Sequence, residues 1–299
     1  MTLDQLRIFI AVAERQHITR AAEAVHRTQS AVSAAIAALE TRHGVKLFDR
    51  VGRRIALTAS GRIFLEEAKA LVAHSRAAEQ ALADLAGLKI GTLSLAASQT
   101  IGNYWLPPRL QLFARTYPGV SIRLTIGNTH EVAGLAAAGD VDLGFVEGEV
   151  RNPTLVVRPV DEDELLIVAA PQLEPPRKPD ARWLTRTPWV AREAGSGTRE
   201  AFEAALKKLG IKVAERRIVL ELPSNEAVRA AVEAGAGLAI MSRLVADASI
   251  RSGALVALPV QLARRRFSSV LHKQKYVSYA AQSLLKMAAA TSPADSRRP

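Results

Sequence analysis

The sequence predicts an α/β protein with an all-α-type N-terminal helix-turn-helix and wing, a long linker helix, and a two-lobed α/β C-terminal domain. Three observations carry this expectation. Residues 18–40 read as two short apolar-striped helices joined by a tight turn; one uninterrupted helical pattern follows Thr58; and strand and helix patterns alternate from Thr92 onward. A length of 299 residues with 48% hydrophobic content suits two or three domains with buried cores. The net charge of +11 points to a polyanionic partner, and the absence of cysteine excludes disulfides and thiolate metal sites. The first residues, MTLDQLRIF, include Asp4 and do not read as a signal peptide, and no run of about 18 apolar residues marks a membrane span. A soluble, cytoplasmic protein is the expectation.

The first helix starts at a T-x-x-Q capping box, Thr2 and Gln5, with Leu3, Leu6, Ile10 and Ala13 as its stripe and Phe9 beside it. Thr19 is placed to cap the second helix and Thr28 the third, because a threonine hydroxyl accepts from the free amides of a first turn. In the third helix Val32, Ile36 and Leu39 fall on one face, while Gln29, Ser30, Ser33, Ala34 and Ala37 point the other way. Small and hydrogen-bonding residues at a helix start let a backbone approach DNA, and Gln and Ser can bond base edges or phosphates. An alanine-rich hairpin packed on a core would show the same spacing, so the flanks decide. Gly44 is placed to end this helix; Leu47 and Phe48 look like core; and a turn at Val51-Gly52 before a strand at 54–57 makes a small wing carrying Arg50, Arg53 and Arg54.

The run AAEAVHRTQSAVSAAIAALE, then GVKLFDR, then LTASG, resembles the winged helix-turn-helix domain of LysR-type transcriptional regulators, in order and without gaps over about the first 60 residues. The resemblance implies base or phosphate contacts from Gln29, Ser30 and Ser33, and phosphate contacts from Thr19 and the wing arginines. Many relatives carry Arg or Lys where this chain has Ala37. Domain limits of 1–58 for the DNA-binding part and 59–88 for the linker follow. In the linker Phe64, Ala68, Leu71, Ser75, Ala78, Leu82 and Leu85 alternate steps of four and three, the spacing of a helix that pairs with another helix. In the family this segment dimerises. Gly87 and Gly91 mark a hinge.

In residues 89–291 a strand holding Leu93 and Leu95 precedes a helix opened by Pro107-Pro108. Val120, Ile122, Leu124 and Ile126 alternate as a half-buried strand, followed by a helix at 131–138 and a strand at 141–146. This β-α-β-α-β order argues for a parallel sheet. Residues 163–266 repeat the pattern as a second lobe, the Pro-rich stretch 171–188 reads as a surface excursion, and a last strand and helix at 267–291 return to the first lobe. Residues 292–299 read as a flexible tail. This half resembles LysR effector domains, similar in fold to periplasmic binding proteins.

Ligands of such sheets sit at the carboxyl ends of strands, where helix N-termini point into a crevice. Ser98, Gln99 and Thr100 precede one helix, and Ser196, Gly197 and Thr198 another, so free amides, hydroxyls and helix dipoles make both candidate anion cradles. Asn128 and Thr129 end the alternating strand and can contribute. Glu147, read as lying at the lobe crossover, could bond an effector or the hinge, although its charge would oppose an anion. Asn225 reads as a cap neighbour. The stretches IGNYWLP, VEGEV, PWV-x-RE-x-GSGTR and SNEAV resemble the LysR subgroup containing regulators of carbon fixation and of sulfur or sulfite metabolism. That resemblance implies a sulfur oxyanion or a phosphorylated metabolite as co-inducer, double-stranded promoter DNA as partner, a dimer or tetramer of the chain itself, and RNA polymerase as a candidate partner.

No cofactor, metal or catalytic residue is expected. The six histidines are scattered without zinc-site spacing, and neither a G-x-S-x-G elbow nor a Walker or G-x-G-x-x-G phosphate loop is present. Two rival classes remain: a solute-binding transport component shares two lobes but has no use for residues 1–60, and a non-specific nucleoid-type DNA binder leaves the two lobes idle.

Overall fold

The computed structural model describes residues 1–51, 54–85, 90–211 and 217–290. The expected 292–299 tail, Arg53 and Gly52 of the wing turn, and Gly87 of the hinge lie outside the described residues. The chain divides near residue 87 into two compact units.

In the first unit Thr2 Oγ1 accepts from Gln5 N at 3.2 Å and Gln5 Oε1 accepts from Thr2 N at 3.0 Å, so the capping box starts α1 (Leu3–Arg15) as expected. The buried face differs: it is centred on Leu6, Phe9 and Val12, while Leu3 is exposed. The reason is Phe9, whose ring lies 5.4 Å from that of Phe48 and 4.8 Å from that of Phe64 and sets the helix rotation. Next, α2 (Ile18–Ala24) is capped not by Thr19 but by His17, whose Nδ1 accepts from Arg20 N. Thr19 sits in the first turn with its hydroxyl 3.4 Å from Gln29 Oε1. Thr28 caps α3 (Gln29–His43) through Ala31 N, and Gly44, at φ 63°, ends it in the left-handed conformation. Val32, Ile36 and Leu39 are buried.

The wing strands β1 (Phe48–Val51) and β2 (Arg54–Leu57) pair antiparallel. Glu40 ties the wing to α3: its Oε1 accepts from Leu47 N at 2.8 Å and Phe48 N at 3.2 Å, and its Oε2 meets Lys46 Nζ at 2.8 Å. Thr58 Oγ1 accepts from Gly61 N at 2.9 Å and opens α4 (Ala59–Leu85), 27 residues or roughly 40 Å long. A Cβ on Gly61 would lie 2.1 Å from Leu47 O, so only glycine lets this helix approach the wing.

The second unit opens with β3 (Gly91–Ser98), a single π turn at Ile101–Trp105 and α5 (Leu106–Thr116). The helical path thus begins before Pro107-Pro108, which occupy the first turn where a missing N–H leaves no bond unmade. Then come β4 (Val120–Gly127), α6 (Thr129–Ala137), β5 (Leu143–Val146), β6 (Leu155–Asp163) and β7 (Leu165–Ala169). They are followed by α7 (Ala181–Arg186), β8 (Trp189–Arg192), α8 (Gly197–Lys208), β9 (Ile218–Leu222), α9 (Asn225–Glu233), β10 (Ala239–Ser242), α10 (Arg243–Arg251) and β11 (Val256–Ala257). The chain continues through β12 (Arg265–His272) and α11 (Tyr279–Ala290).

The first lobe is a five-stranded sheet in the order β4-β3-β5-β12-β6, with β3 parallel to β4 and β5, and with β12 antiparallel to β5 and β6. The last strand, β12, joins this sheet, and α11 packs on α5 and β6. The all-parallel expectation is corrected: β12 enters from the opposite direction, and in the second lobe β7 pairs antiparallel with β10 and β11 while β8 and β9 run parallel. β6 was not expected, because Pro159 and the acidic 161–163 break its alternation at the sheet edge. It moves the crossover. The chain leaves the first sheet after Asp163, so Glu147 stands at the carboxyl end of β5 and not at the lobe crossover. The 171–188 stretch is more than an excursion, since α7 buries Leu184 in the second-lobe core.

Candidate functional site

The order β4-β3-β5 brings three carboxyl ends side by side. Ser98 ends β3, Asn128 and Thr129 follow β4, and Glu147 follows β5. Ser98, Thr100, Thr129 and Glu147 are all at most 5% exposed, as are Ser196, Thr198 and Asn225 of the second lobe. Such burial of polar side chains calls for partners, and most have them.

At the centre is Arg265, the first residue of β12. Its guanidinium meets Asp163 Oδ2 at 2.7 Å, donates to Thr198 Oγ1 at 3.0 Å and to Thr100 Oγ1 at 3.3 Å, and stands 3.8 Å from Glu147 Oε1. Thr100 Oγ1 also accepts from Asn225 Nδ2 at 3.0 Å. With both lone pairs engaged, its proton goes to Glu147, to which it is hydrogen-bonded. Asn225 Oδ1 in turn accepts from Arg192, and Arg192 grips Glu193 in a two-pronged pair at 2.7 and 2.8 Å. One network therefore links Thr100 and Glu147 of the first lobe to Thr198, Asn225 and Arg192 of the second.

The network sets the carboxyl protonation. Burial pushes Glu147 above the usual carboxylate range, opposed by Arg265 and the Thr100 hydroxyl. Burial acts likewise on Glu193, but the Arg192 pair outweighs it and holds that carboxyl below the range. Asp163 also accepts from the Ser242 hydroxyl at 2.7 Å.

The remaining expected residues sit nearby with other tasks. Gln99 spans the lobes, donating to Pro223 O at 2.7 Å and accepting from Asn225 N at 2.9 Å. Asn128 Oδ1 accepts from Glu131 N at 3.0 Å, and its amide donates to Glu193 at 3.4 Å. Ser196 caps α8 by accepting from Thr198 N at 3.2 Å. Gly197 allows the tightest approach: a Cβ there would stand 2.6 Å from Gly148 N and 2.8 Å from Thr129 Oγ1. The sequence reading missed Arg265, Asp163 and Arg192 and undervalued Asn225. Their signals were the strand-edge position of Arg265 between two other arginines, Arg192 in the PWVARE stretch, and the SNEAV stretch.

On the first unit, Thr19, Thr28, Gln29, Ser30 and Ser33 are all exposed at or beside the start of α3, with Thr28 and Ser30 hydroxyls 3.0 Å apart. Arg50 and Arg54 lie on the wing strands, paired across the ladder with Ile55 and Val51. Among the described residues no helix is long and apolar enough to cross a membrane, and no cluster of three or more His, Cys, Asp or Glu side chains could hold a metal ion.

A helix-turn-helix with a wing, joined to two α/β lobes that meet over a buried polar network, has the architecture of a DNA-binding regulator with a ligand-binding domain. The comparisons give it a family. Residues 3–62 match the bacterial regulatory helix-turn-helix proteins of the lysR family, and residues 86–292 match the LysR substrate binding domain. The chain is 35% identical over 288 residues to the Escherichia coli K12 HTH-type transcriptional regulator YeiE, itself uncharacterized, covering 95% of this chain and 96% of that one. It is 32% identical over 285 residues to the RuBisCO operon transcriptional regulator of Allochromatium vinosum, covering 94% and 93%. Its fold is similar to that of the LysR family regulator CbnR, with a TM-score of 0.70 at 24% identity over 97% of this chain and 99% of that one. The chain belongs to the LysR family of DNA-binding transcriptional regulators, a family of regulators and not of enzymes.

Proposed function

We propose that this regulator responds to a small anionic metabolite held between the lobes of its C-terminal domain, with Ser98, Thr100, Thr129, Glu147, Ser196, Gly197 and Thr198 forming the site. One observation carries the reading. Ser98 Oγ, Thr129 Oγ1 and Glu147 Oε2 are buried and have no hydrogen-bond partner, and they belong to the carboxyl ends of three neighbouring parallel strands. Leaving a buried donor or acceptor unmade costs about 1–3 kcal/mol each, so three together describe a site built for a polar ligand. The hydroxyls and the N-termini of α6 and α8 favour an anion. Relatives named as RuBisCO regulators favour a metabolite tied to carbon fixation, such as a phosphorylated one; a sulfur oxyanion has the same chemistry.

On the DNA side, α3 enters the major groove with Gln29, Ser30 and Ser33 towards base edges or phosphates, while Thr19, Thr28 and the wing arginines Arg50, Arg53 and Arg54 hold the backbone. CbnR, of similar fold, is known in complex with its target DNA. Two copies pair through α4, and two such dimers form a tetramer whose arrangement sets promoter bending. The metabolite acts only if it prefers one arrangement over another.

The test is thermal unfolding of the full-length protein with sulfite, sulfate, phosphate, sugar phosphates and dicarboxylates. A ligand near 100 times its dissociation constant stabilises the native state by about 2.7 kcal/mol. The reading expects a selective upward shift that the Thr100→Ala, Thr198→Ala double variant loses. Silence from every anion, or a shift the double variant keeps, contradicts it.

A further inference from the structure

Glu147 stands out among the three unpartnered atoms because it is the one that titrates. The groups facing it come from four elements. Thr100, in the turn after β3, donates to it; Arg265 on β12 stands 3.8 Å from its Oε1; Asp163 on β6 and Arg192 on β8 act on it from further away. Both arginines are already engaged at short range, Arg265 by Asp163 at 2.7 Å and Arg192 by Glu193 at 2.7 Å. Neither is free to neutralise Glu147 and an incoming anion together. Two bare anions, the carboxylate and the ligand, repel each other in a buried crevice unless one proton lies between them.

We infer that Glu147 is the specificity residue that reads whether the ligand carries a proton: the crevice takes an oxyanion that keeps one hydroxyl at neutral pH, and that hydroxyl donates to Glu147 Oε2. An oxyanion with no hydroxyl enters only when Glu147 itself brings the proton and acts as donor. Burial makes the carboxyl easier to protonate, which opens this second route as pH falls. The inference rests on the anion-site reading above and adds the class of anion.

Inorganic phosphate and sulfate are suitable probes, since they are tetrahedral and near-equal in size, and only phosphate keeps a hydroxyl near neutral pH. Isothermal titration of the full-length protein with each, from mildly acid to mildly alkaline pH, reads both affinity and proton uptake from the buffer. Phosphate is expected to bind more tightly than sulfate on the alkaline side. At pH values where Glu147 is ionised, sulfate affinity is expected to rise about tenfold for each unit the pH is lowered, with one proton taken up, and to level off once Glu147 is protonated. Glu147→Gln carries an amide that donates at any pH, so it should bind sulfate without a pH slope and lose the preference for phosphate. Anions that bind wild type and Glu147→Gln alike, with no proton uptake, overturn this inference and leave the anion site standing. Silence from both ions in both proteins at millimolar concentration overturns the anion site itself, and this inference with it.

Discussion

Arg265 and Asp163 are cross-strand partners at the point where the chain passes between the lobes, their side chains 2.7 Å apart and both less than 10% exposed. The pair sits on the two connections that any lobe movement must bend. The same guanidinium reaches Thr100 in one lobe and Thr198 in the other. The crossover between the lobes and the buried polar network therefore share one ion pair.

Breaking that pair on one side strands the other. Asp163→Asn leaves a buried guanidinium facing a neutral amide, and it should destabilise the second unit by roughly 3 kcal/mol in urea unfolding. The double variant with Arg265→Met should recover part of that loss, because the stranded charge is gone. A single-variant effect no larger than that of a surface substitution contradicts the buried-pair account.

Gly197→Ala places a methyl against Thr129 Oγ1 and against the Gly148 amide, a backbone group that cannot rotate away. Overpacking of this kind costs about 1–3 kcal/mol. Hydrogen exchange should accelerate across residues 195–200, and anion binding should weaken. Unchanged exchange there would mean that the glycine contact is slack.

Glu40 gives a pH prediction. Burial works to raise its pKa, but Lys46 and the Leu47 and Phe48 amides outweigh this and hold it below the ordinary value. A depressed carboxyl contributes stability that is present above the unfolded-state pKa of about 4.3 and is lost as pH falls through the folded-state value. Glu40→Gln should lower the stability of the first unit by about 1–2 kcal/mol at neutral pH. The difference from wild type should shrink in acid. A difference constant with pH would remove the charge from the explanation.

On α4, Phe64 and Ala68 pack within their own unit, whereas Leu71 is 44% and Leu82 68% exposed. The start of the 3.5-residue seam closes the core, while its later leucines stay exposed, where the proposed dimer would place a second helix. Leu82→Glu should shift the protein towards monomer in light scattering, at least tenfold in dissociation constant, by burying a charge in the paired state. A dimer unaffected by this change would place the interface elsewhere.

What the sequence showed and what it hid follow one rule. Local signals were legible: the Thr2–Gln5 box, the Thr28 cap and the Gly44 terminus all depend on residues within a few positions. Signals spread across the chain were not. Arg265 meets Thr100 across 165 positions and Thr198 across 67, so no spacing announces it. β6 hid behind Pro159 because an edge strand tolerates what an interior strand cannot. Thr19 gave up its capping task to His17 because the turn before α2 ends two residues earlier than the polar pattern suggests. The loops proposed as anion cradles were legible from their glycines and hydroxyls, while Arg265 and Asp163, which face them, come from distant parts of the chain.

The measurement that tests the account most directly is affinity for a duplex selected from a random pool, measured with and without the anion that stabilises the protein. Salt is held fixed, because phosphate contacts make affinity salt-dependent. The account predicts that the anion changes duplex affinity or bend angle in wild type and has no effect in the Thr100→Ala, Thr198→Ala variant, while Ser33→Arg abolishes duplex selectivity and still binds the anion. An anion that binds between the lobes and leaves duplex affinity and bending untouched would contradict the coupling of the two domains.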